Sequence, residues 1–127
     1  MLLDTDVMVD VLRRYPPALD WLASLGAEPI GLPGLAAMEL LQGCRNQAEQ
    51  QRAERLLRQF PLHWPDRDDC ARAFDDFSAY HLSHGLGLLD ALIAETAIGV
   101  NEELATFNTK HYNIVSALQV IQPYERL

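Results

Sequence analysis

Three acids in this chain stand where acids are expensive. Asp4 closes the apolar opening Met1-Leu2-Leu3, Glu39 interrupts the run from Leu35 to Leu41, and Asp90 lies between Leu88-Leu89 and Ala91-Leu92-Ile93-Ala94. Taken singly, each has an ordinary explanation: Asp4 and Asp90 as helix caps, Glu39 as the one polar position of its helix turned to solvent. Taken together they ask for a common one, because a buried carboxylate is costly unless it is paired or bound to a metal. Without a cluster of Cys or His beside them, carboxylate oxygens suit Mg2+ or Mn2+, hard ions that keep several waters and meet phosphate oxygens directly. Such an ion lowers the pKa of a bound water, orients it for in-line attack and neutralises charge on a phosphoryl group.

Three carboxylates around one divalent ion leave surplus negative charge facing an anionic substrate. A second ion or basic residues at the rim must offset it, with Lys110 and His111 best placed in the sequence and Arg13 or Arg14 as alternatives. Asn108, just past an expected strand end, offers a carbonyl oxygen to the ion or its water, and Thr106 offers a hydroxyl. His81 and His84 are three apart but lack a further ligand at helical spacing, and read as helix-end histidines favoured by the dipole.

The elements that must position these residues alternate along the chain. Apolar runs bounded by Gly or Pro predict short strands at Leu2–Leu3, Glu28–Leu32, Pro61–Pro65, Glu103–Phe107 and Ala117–Ile121. Between them the sequence predicts a helix from Asp6 to Arg14, with Asp6 able to cap it, and a second opened by Pro17 and stopped at Gly26. A nearly all-apolar helix follows from Pro33 to Gly43, then an amphipathic one over Gln47–Phe60 whose stripe is Ala53, Leu56, Leu57 and Phe60. On that helix Arg52, Arg55 and Arg58, interleaved with Glu49 and Glu54, read as a solvated face laced with helix-spaced ion pairs. Asp66 is expected to cap a helix with the stripe Cys70, Ala73, Phe74, Phe77 and Tyr80, and Gly87–Ala97 to form the helix that Asp90 opens. Asn108–Asn113 reads as a polar turn or a single helical turn. Strands alternating with helices predict an α/β fold on a short parallel sheet of four to five strands flanked by helices, with one domain over residues 1–127.

The composition narrows the function further. Hydrophobic residues make up 49% of 127, enough for a core of single-domain size. No basic segment leads into an apolar one at the N-terminus and no run of about 18 apolar residues occurs, so the expectation is a cytoplasmic protein with no membrane role. Cys44 and Cys70 lie in helical segments without C-x-x-C spacing and read as small buried hydrophobes rather than a disulfide. A formal net charge of −8 argues against sequence-blind nucleic-acid binding, but is compatible with acids at a metal site ringed by a few basic residues, and it suits a basic protein partner.

Leu-Leu-Asp4-Thr5-Asp6-Val, Ala-Ala-Met-Glu39-Leu-Leu-Gln-Gly, Leu-Leu-Asp90-Ala-Leu-Ile-Ala-Glu-Thr-Ala and Leu-Ala-Thr106-Phe-Asn108-Thr-Lys-His-Tyr stand in the order of the four motifs of PIN-domain ribonucleases. The chain resembles, along essentially its whole length, the VapC-type toxins of bacterial and archaeal toxin-antitoxin pairs. That resemblance implies a PIN-like three-layer fold and a Mg2+- or Mn2+-dependent endoribonuclease acting on structured RNA such as tRNA or ribosomal RNA loops. It also implies a homodimer held inactive by a cognate VapB-type antitoxin. It places the catalytic residues at Asp4, Glu39, Asp90 and Asn108, with the acids holding the metal. Thr5, Asp6, Thr106, Lys110 and His111 then orient the acids or meet substrate. Many relatives carry a fourth acid where this chain has Asn108, which bears on a second metal site. Asp4-Thr5-Asp6-Val7 also looks like the nucleophile motif of haloacid-dehalogenase-type phosphatases, but that reading leaves Glu39 without a task and lacks a paired-acid strand end, since Asp75-Asp76 falls inside a helix. A third reading is a PIN-like domain that binds a partner without turnover.

Overall fold

Five strands of two residues each, all parallel, run through the centre of the computed structural model, which describes residues 1–126. They are β1 (Leu2–Leu3), β2 (Leu32–Pro33), β3 (Leu62–His63), β4 (Leu104–Ala105) and β5 (Val120–Ile121). β1 pairs with β4 and β4 with β5; β2 pairs with β3. A single bridge between Leu2 and Gly31 joins the two groups, with the Leu3 amide donating to the Gly31 carbonyl at 3.1 Å and the Gly31 amide to Met1 at 3.0 Å. Across the molecule the order is therefore β3-β2-β1-β4-β5. From β1 the chain leaves first to one side and returns at β4 on the other, which makes the gap beyond the ends of β1 and β4 the switch point where ligands bind in open α/β sheets.

The strands are shorter than the apolar runs suggest, for local reasons. Pro29 has no amide to give to a ladder, and prolines bound the third run on both sides. In the fifth, the Leu118 amide is already turned back onto Val115, so pairing starts only at Val120.

The helices are α1 (Thr5–Leu12), α2 (Pro16–Ser24), α3 (Gly34–Gln42), α4 (Gln47–Leu57), α5 (Arg67–His84), α6 (Leu88–Gly99) and α7 (Thr109–Tyr112). Alternation along the strands divides their packing. Leu2 and Leu104 point to a core with Ala73, Ile93, Ala94 and Tyr112 from α5, α6 and α7. Leu3 and Ala105 point to the other face, with Val7, Met8, Ala53 and Leu57 from α1 and α4. Helix α3 serves both, through Ala36 on one side and Ala37 and Leu40 on the other. The result is three layers, helix on sheet on helix. Among the described residues no helix is long and apolar enough to cross a membrane.

Two close approaches fix the ends of α3 and α6. A methyl group at Gly34 would lie 2.4 Å from the Trp64 ring, so the indole sits flat on the start of α3. One at Gly99 would lie 2.5 Å from Asp69 Oδ1, which lets α5 press against the last turn of α6.

Several expectations need correction. Helix α1 starts at Thr5, and its N-cap is Asp4, whose carboxylate accepts from the Thr5 amide at 2.8 Å; Asp6, the second residue of the helix, is two residues too late to cap. Pro16 rather than Pro17 opens α2. Along α5 the expected positions Ala73, Phe77 and Tyr80 do meet the core, while Phe74 is 73% exposed and Cys70 is exposed. Asp69 is buried on the same helix, where Arg72 donates to it and, at 2.9 Å, to the buried Glu95 of α6. Cys44 is half-buried, so neither cysteine is the core residue the sequence suggests; both are free thiols. The cap at Asp66 stands, as a full capping box in which Asp66 accepts from the Asp69 amide at 2.8 Å and Asp69 from the Asp66 amide at 2.9 Å.

Candidate functional site

Beyond the paired ends of β1 and β4, the next residues of the two strands are Asp4 and Thr106, brought side by side by the Leu3–Ala105 register. The Thr106 hydroxyl donates to Asp4 Oδ2 at 2.8 Å, deep in the fold, and accepts from the Asn108 amide at 3.0 Å. Asp6, in the first turn of α1, reaches over the same strand end. Its Oδ2 accepts from the Phe107 amide at 3.0 Å and lies 3.3 Å from the Thr106 hydroxyl, and its Oδ1 is buried without any partner. Arg126 donates to the Asp6 backbone carbonyl at 3.3 Å and sits 3.9 Å over the Phe107 ring.

Glu39 enters from α3. Its Oε1 accepts from the Thr5 hydroxyl at 2.8 Å, so Thr5 ties the third helix to the start of the first. Asp90 is the third residue of α6, and its Oδ2 accepts from the Gly87 amide at 3.1 Å, one half of a capping box, glycine having no side chain to complete it. Each of the three acids is thus held by a hydrogen bond from its own surroundings. Among the described residues no three His, Cys, Asp or Glu side chains stand close enough to form a closed ligand set.

What links the three acids is Tyr112. Its side chain is fully buried and its hydroxyl makes no hydrogen bond of ordinary geometry. Burial first, then the charges of Asp4, Asp90 and Glu39, all hold its phenol far above the usual tyrosine range. One hydroxyl therefore lies within electrostatic reach of all three carboxyls. In the sequence this residue reads as part of a polar turn. Its helical spacing was the available signal, since a turn starting at Asn108 brings Tyr112 back over the strand end, with its amide on the Asn108 carbonyl at 3.3 Å.

Burial pushes Asp4 up to about 7 from 3.8, and the neighbouring Asp6 adds to it; hydrogen bonds from Thr106 and Thr5 act the other way and are outweighed. Asp6 is raised as well, by burial, with the Phe107 amide and distant Arg126 pulling it back. Among the described residues no ion pair reaches Asp4. An Asp6 oxygen without a hydrogen-bond partner and a buried Asp4 carboxyl with no ion pair among the described residues fit a site completed by a hard cation, and an all-oxygen donor set suits Mg2+ or Mn2+.

The other expected residues are placed less centrally. Asn108 stands at the start of α7 without a side-chain hydrogen bond capping it, half-buried beside Thr106. Lys110 is exposed on α7, and His111 turns its Nε2 toward Gly85 at the end of α5. His81 stacks on Phe77 with ring centres 4.6 Å apart, and His84 meets Tyr80 edge-on at 5.7 Å, so both are occupied by their own helix.

A PIN domain model matches residues 1–116. The chain is 35% identical over 121 residues to "Ribonuclease VapC10" of Mycobacterium tuberculosis, covering 94% of this chain and 90% of that protein. It is 36% identical over 123 residues to "Ribonuclease VapC19" of the same organism, covering 93% and 96%. Among solved structures, a toxin-antitoxin complex from Klebsiella pneumoniae has a TM-score of 0.77 at 27% identity over 98% of each chain. VapBC2 from Rickettsia felis, bound to a DNA fragment from its promoter, shares the fold with a TM-score of 0.78 at 21% identity over 94% and 96% of the two chains. The matched span includes Asp4-Thr5-Asp6-Val7, which removes the phosphatase alternative. The chain belongs to the PIN-domain family, among the VapC-type ribonucleases.

Proposed function

We propose that this chain is a divalent-metal-dependent endoribonuclease, the toxin of a type II pair, acting in the cytoplasm on structured RNA of tRNA or ribosomal RNA type. Its metal is Mg2+ or Mn2+, held by Asp4 with Glu39 and Asp90, and Asn108 offers a further oxygen. When bound, such an ion supplies an activated water and charge neutralisation at phosphorus. The observation that carries this reading is the buried Asp4 carboxyl at the paired ends of β1 and β4, oriented by Thr106 and without an ion pair among the described residues. Thr106 fixes which way Asp4 points, Thr5 fixes Glu39, and Asp6 keeps the ends of α1 and β4 together through the Phe107 amide. Tyr112 packs in the core beneath the site with its hydroxyl toward the Asp4 carboxyl, a proton donor for that acid. A VapB-type antitoxin covers the site in the inactive complex, and the toxin is a homodimer.

The test compares native protein with Asp4→Asn and Asp90→Asn on structured RNA in Mn2+, alongside growth on induction. Both variants should lose cleavage by about a hundredfold or more while keeping the fold, since a ligand's charge is removed without changing its shape. Cleavage and growth arrest at native levels in either variant would rule the reading out. A native protein that binds RNA and antitoxin but never cleaves in any divalent ion would establish the silent-domain alternative.

A further inference from the structure

The chain carries ten Lys and Arg against a formal charge of −8, and five of the ten crowd onto one face. Arg13, Arg45 and Arg52 line a cleft of about 380 Å³ between the end of α1, α3 and α4 that also reaches Glu39. Arg14, Arg52 and Arg55 line a second cleft of about 260 Å³ between α1 and α4. Arg52 and Leu12 belong to both, so the clefts adjoin and form one basic run that starts at a proposed metal ligand.

The helix-spaced ion pairs expected on this face are mostly absent among the described residues. Arg13, Arg14, Arg52 and Arg55 make no ion pair, and Arg45 has only Glu49, at 3.5 Å across one turn, a pair worth little in water. All five arginines are exposed. Arg14 is also held in an unusual backbone state. With φ at 58° it occupies the left-handed position of a helix-closing motif in which the Arg14 amide bonds Val11 and the Tyr15 amide bonds Asp10, each at 3.0 Å. Glycine is the natural residue there.

From this placement we propose that the α1–α4 clefts bind the sugar-phosphate backbone of the RNA substrate as it leaves the cutting site, with Arg13, Arg45 and Arg52 nearest Glu39 and Arg14 and Arg55 beyond. The proposal rests on the nuclease reading and adds the path the substrate takes. An acidic site repels a polyanion, so a protein of net negative charge must hold the flanking phosphates with local positive charge, and guanidinium forks match phosphate oxygens in shape as well as sign. The continuity of the clefts with Glu39 favours RNA over an acidic protein segment, because the phosphates next to a scissile one must lie next to the cutting site.

The test measures the affinity of a fluorescein-labelled RNA hairpin in EDTA, by anisotropy over a range of salt. Native protein is compared with the triple variant Arg45→Gln, Arg52→Gln, Arg55→Gln and with Arg67→Gln on α5 as a control. The triple variant should bind about tenfold more weakly or worse, with its logarithmic salt slope reduced by about 2, near 0.7 per lost phosphate contact. The control should match native protein. Circular dichroism checks that the exposed substitutions leave the fold intact. Native RNA affinity in the triple variant overturns the proposal. So does a triple variant that keeps RNA but releases the VapB-type antitoxin, which would make the face a protein-docking surface. Equal cleavage by native and Asp4→Asn protein overturns the nuclease reading and the proposal with it, whereas cleavage lost in Asp4→Asn but untouched in the triple variant removes the cleft assignment alone.

Discussion

At the scale of single residues, Thr106 ties the site together: one hydroxyl donates to Asp4 and accepts from the Asn108 amide. Thr106→Val keeps the volume and leaves both partners unsatisfied in a buried place. It should lower stability by about 1–3 kcal/mol in urea unfolding and slow RNA cleavage by misorienting Asp4. The Asp4 carboxyl makes a second prediction. Its value rises from 3.8 to about 7 on folding, so the folded state holds the proton more tightly than the unfolded chain. That contribution is complete below about pH 4 and is lost as pH climbs through about 7, an effect on the order of 4 kcal/mol at most. Urea midpoints in EDTA should therefore fall over this range, Mn2+ should restore them near neutral pH, and Asp4→Asn should remove much of the slope. Asn108→Asp should tighten Mn2+ binding if that side chain is a ligand, and unchanged affinity would count against it. The acids Asp4, Glu39 and Asp90 were readable because each interrupts an apolar run. Tyr112 was not, because its partners come from β1, α3 and α6, and no local pattern announces a phenol buried against distant carboxyls.

Among the elements, the α5–α6 pair shows where periodicity misleads. Arg72, about half exposed, donates to buried Asp69 and buried Glu95, and Asp76 is raised to about 7 by burial and by Glu95 beside it. Glu95 carries the same signal that singled out Glu39, an acid in an alanine-rich helix, and its spacing from Asp90 sets it on another side of α6. Its partner was hidden because Arg72 comes from another helix, a contact that no local pattern displays; Phe77 and Tyr80 pack on the core as their spacing suggests, and Phe74 lies in solvent. Arg72→Met should lower stability at neutral pH, by less than the loss of a fully buried pair because the guanidinium is partly wet. The loss should shrink in acid, where the stranded carboxyls take up protons, and thermal unfolding at two pH values checks it. Capping was more legible than packing. The box at Asp66 and Asp69 depends only on residues three apart, which a sequence displays directly.

For the molecule as a whole, alternation of strands and helices identified the α/β class and the parallel sheet, because that pattern is local. The strand order β3-β2-β1-β4-β5 was not legible, since strands of two residues hold no pairing code and their order follows from which helix covers which face. The C-terminal segment was missed for a similar reason. Tyr124 donates to Asp10 at 2.8 Å and packs among Tyr15, Trp21 and Phe107, while Arg126 bonds Asp10 at 3.1 Å, so the end of the chain straps the α1–α2 corner. Tyr124→Ala should lower stability by about 2–3 kcal/mol, less than for a fully buried aromatic, as measured by urea unfolding. Arg126→Ala should cost under about 1 kcal/mol, its pair with Asp10 being half in solvent.

The indole of Trp64, lying flat on Gly34 at the head of the helix that carries Glu39, gives this protein a built-in optical probe. It is half open to water, and the one other tryptophan, Trp21, sits under the C-terminal strap, so the two chromophores watch separate regions. A shift in emission that survives Trp21→Phe would then register a tilt of that helix as an ion or an inhibitor settles nearby, without any label attached.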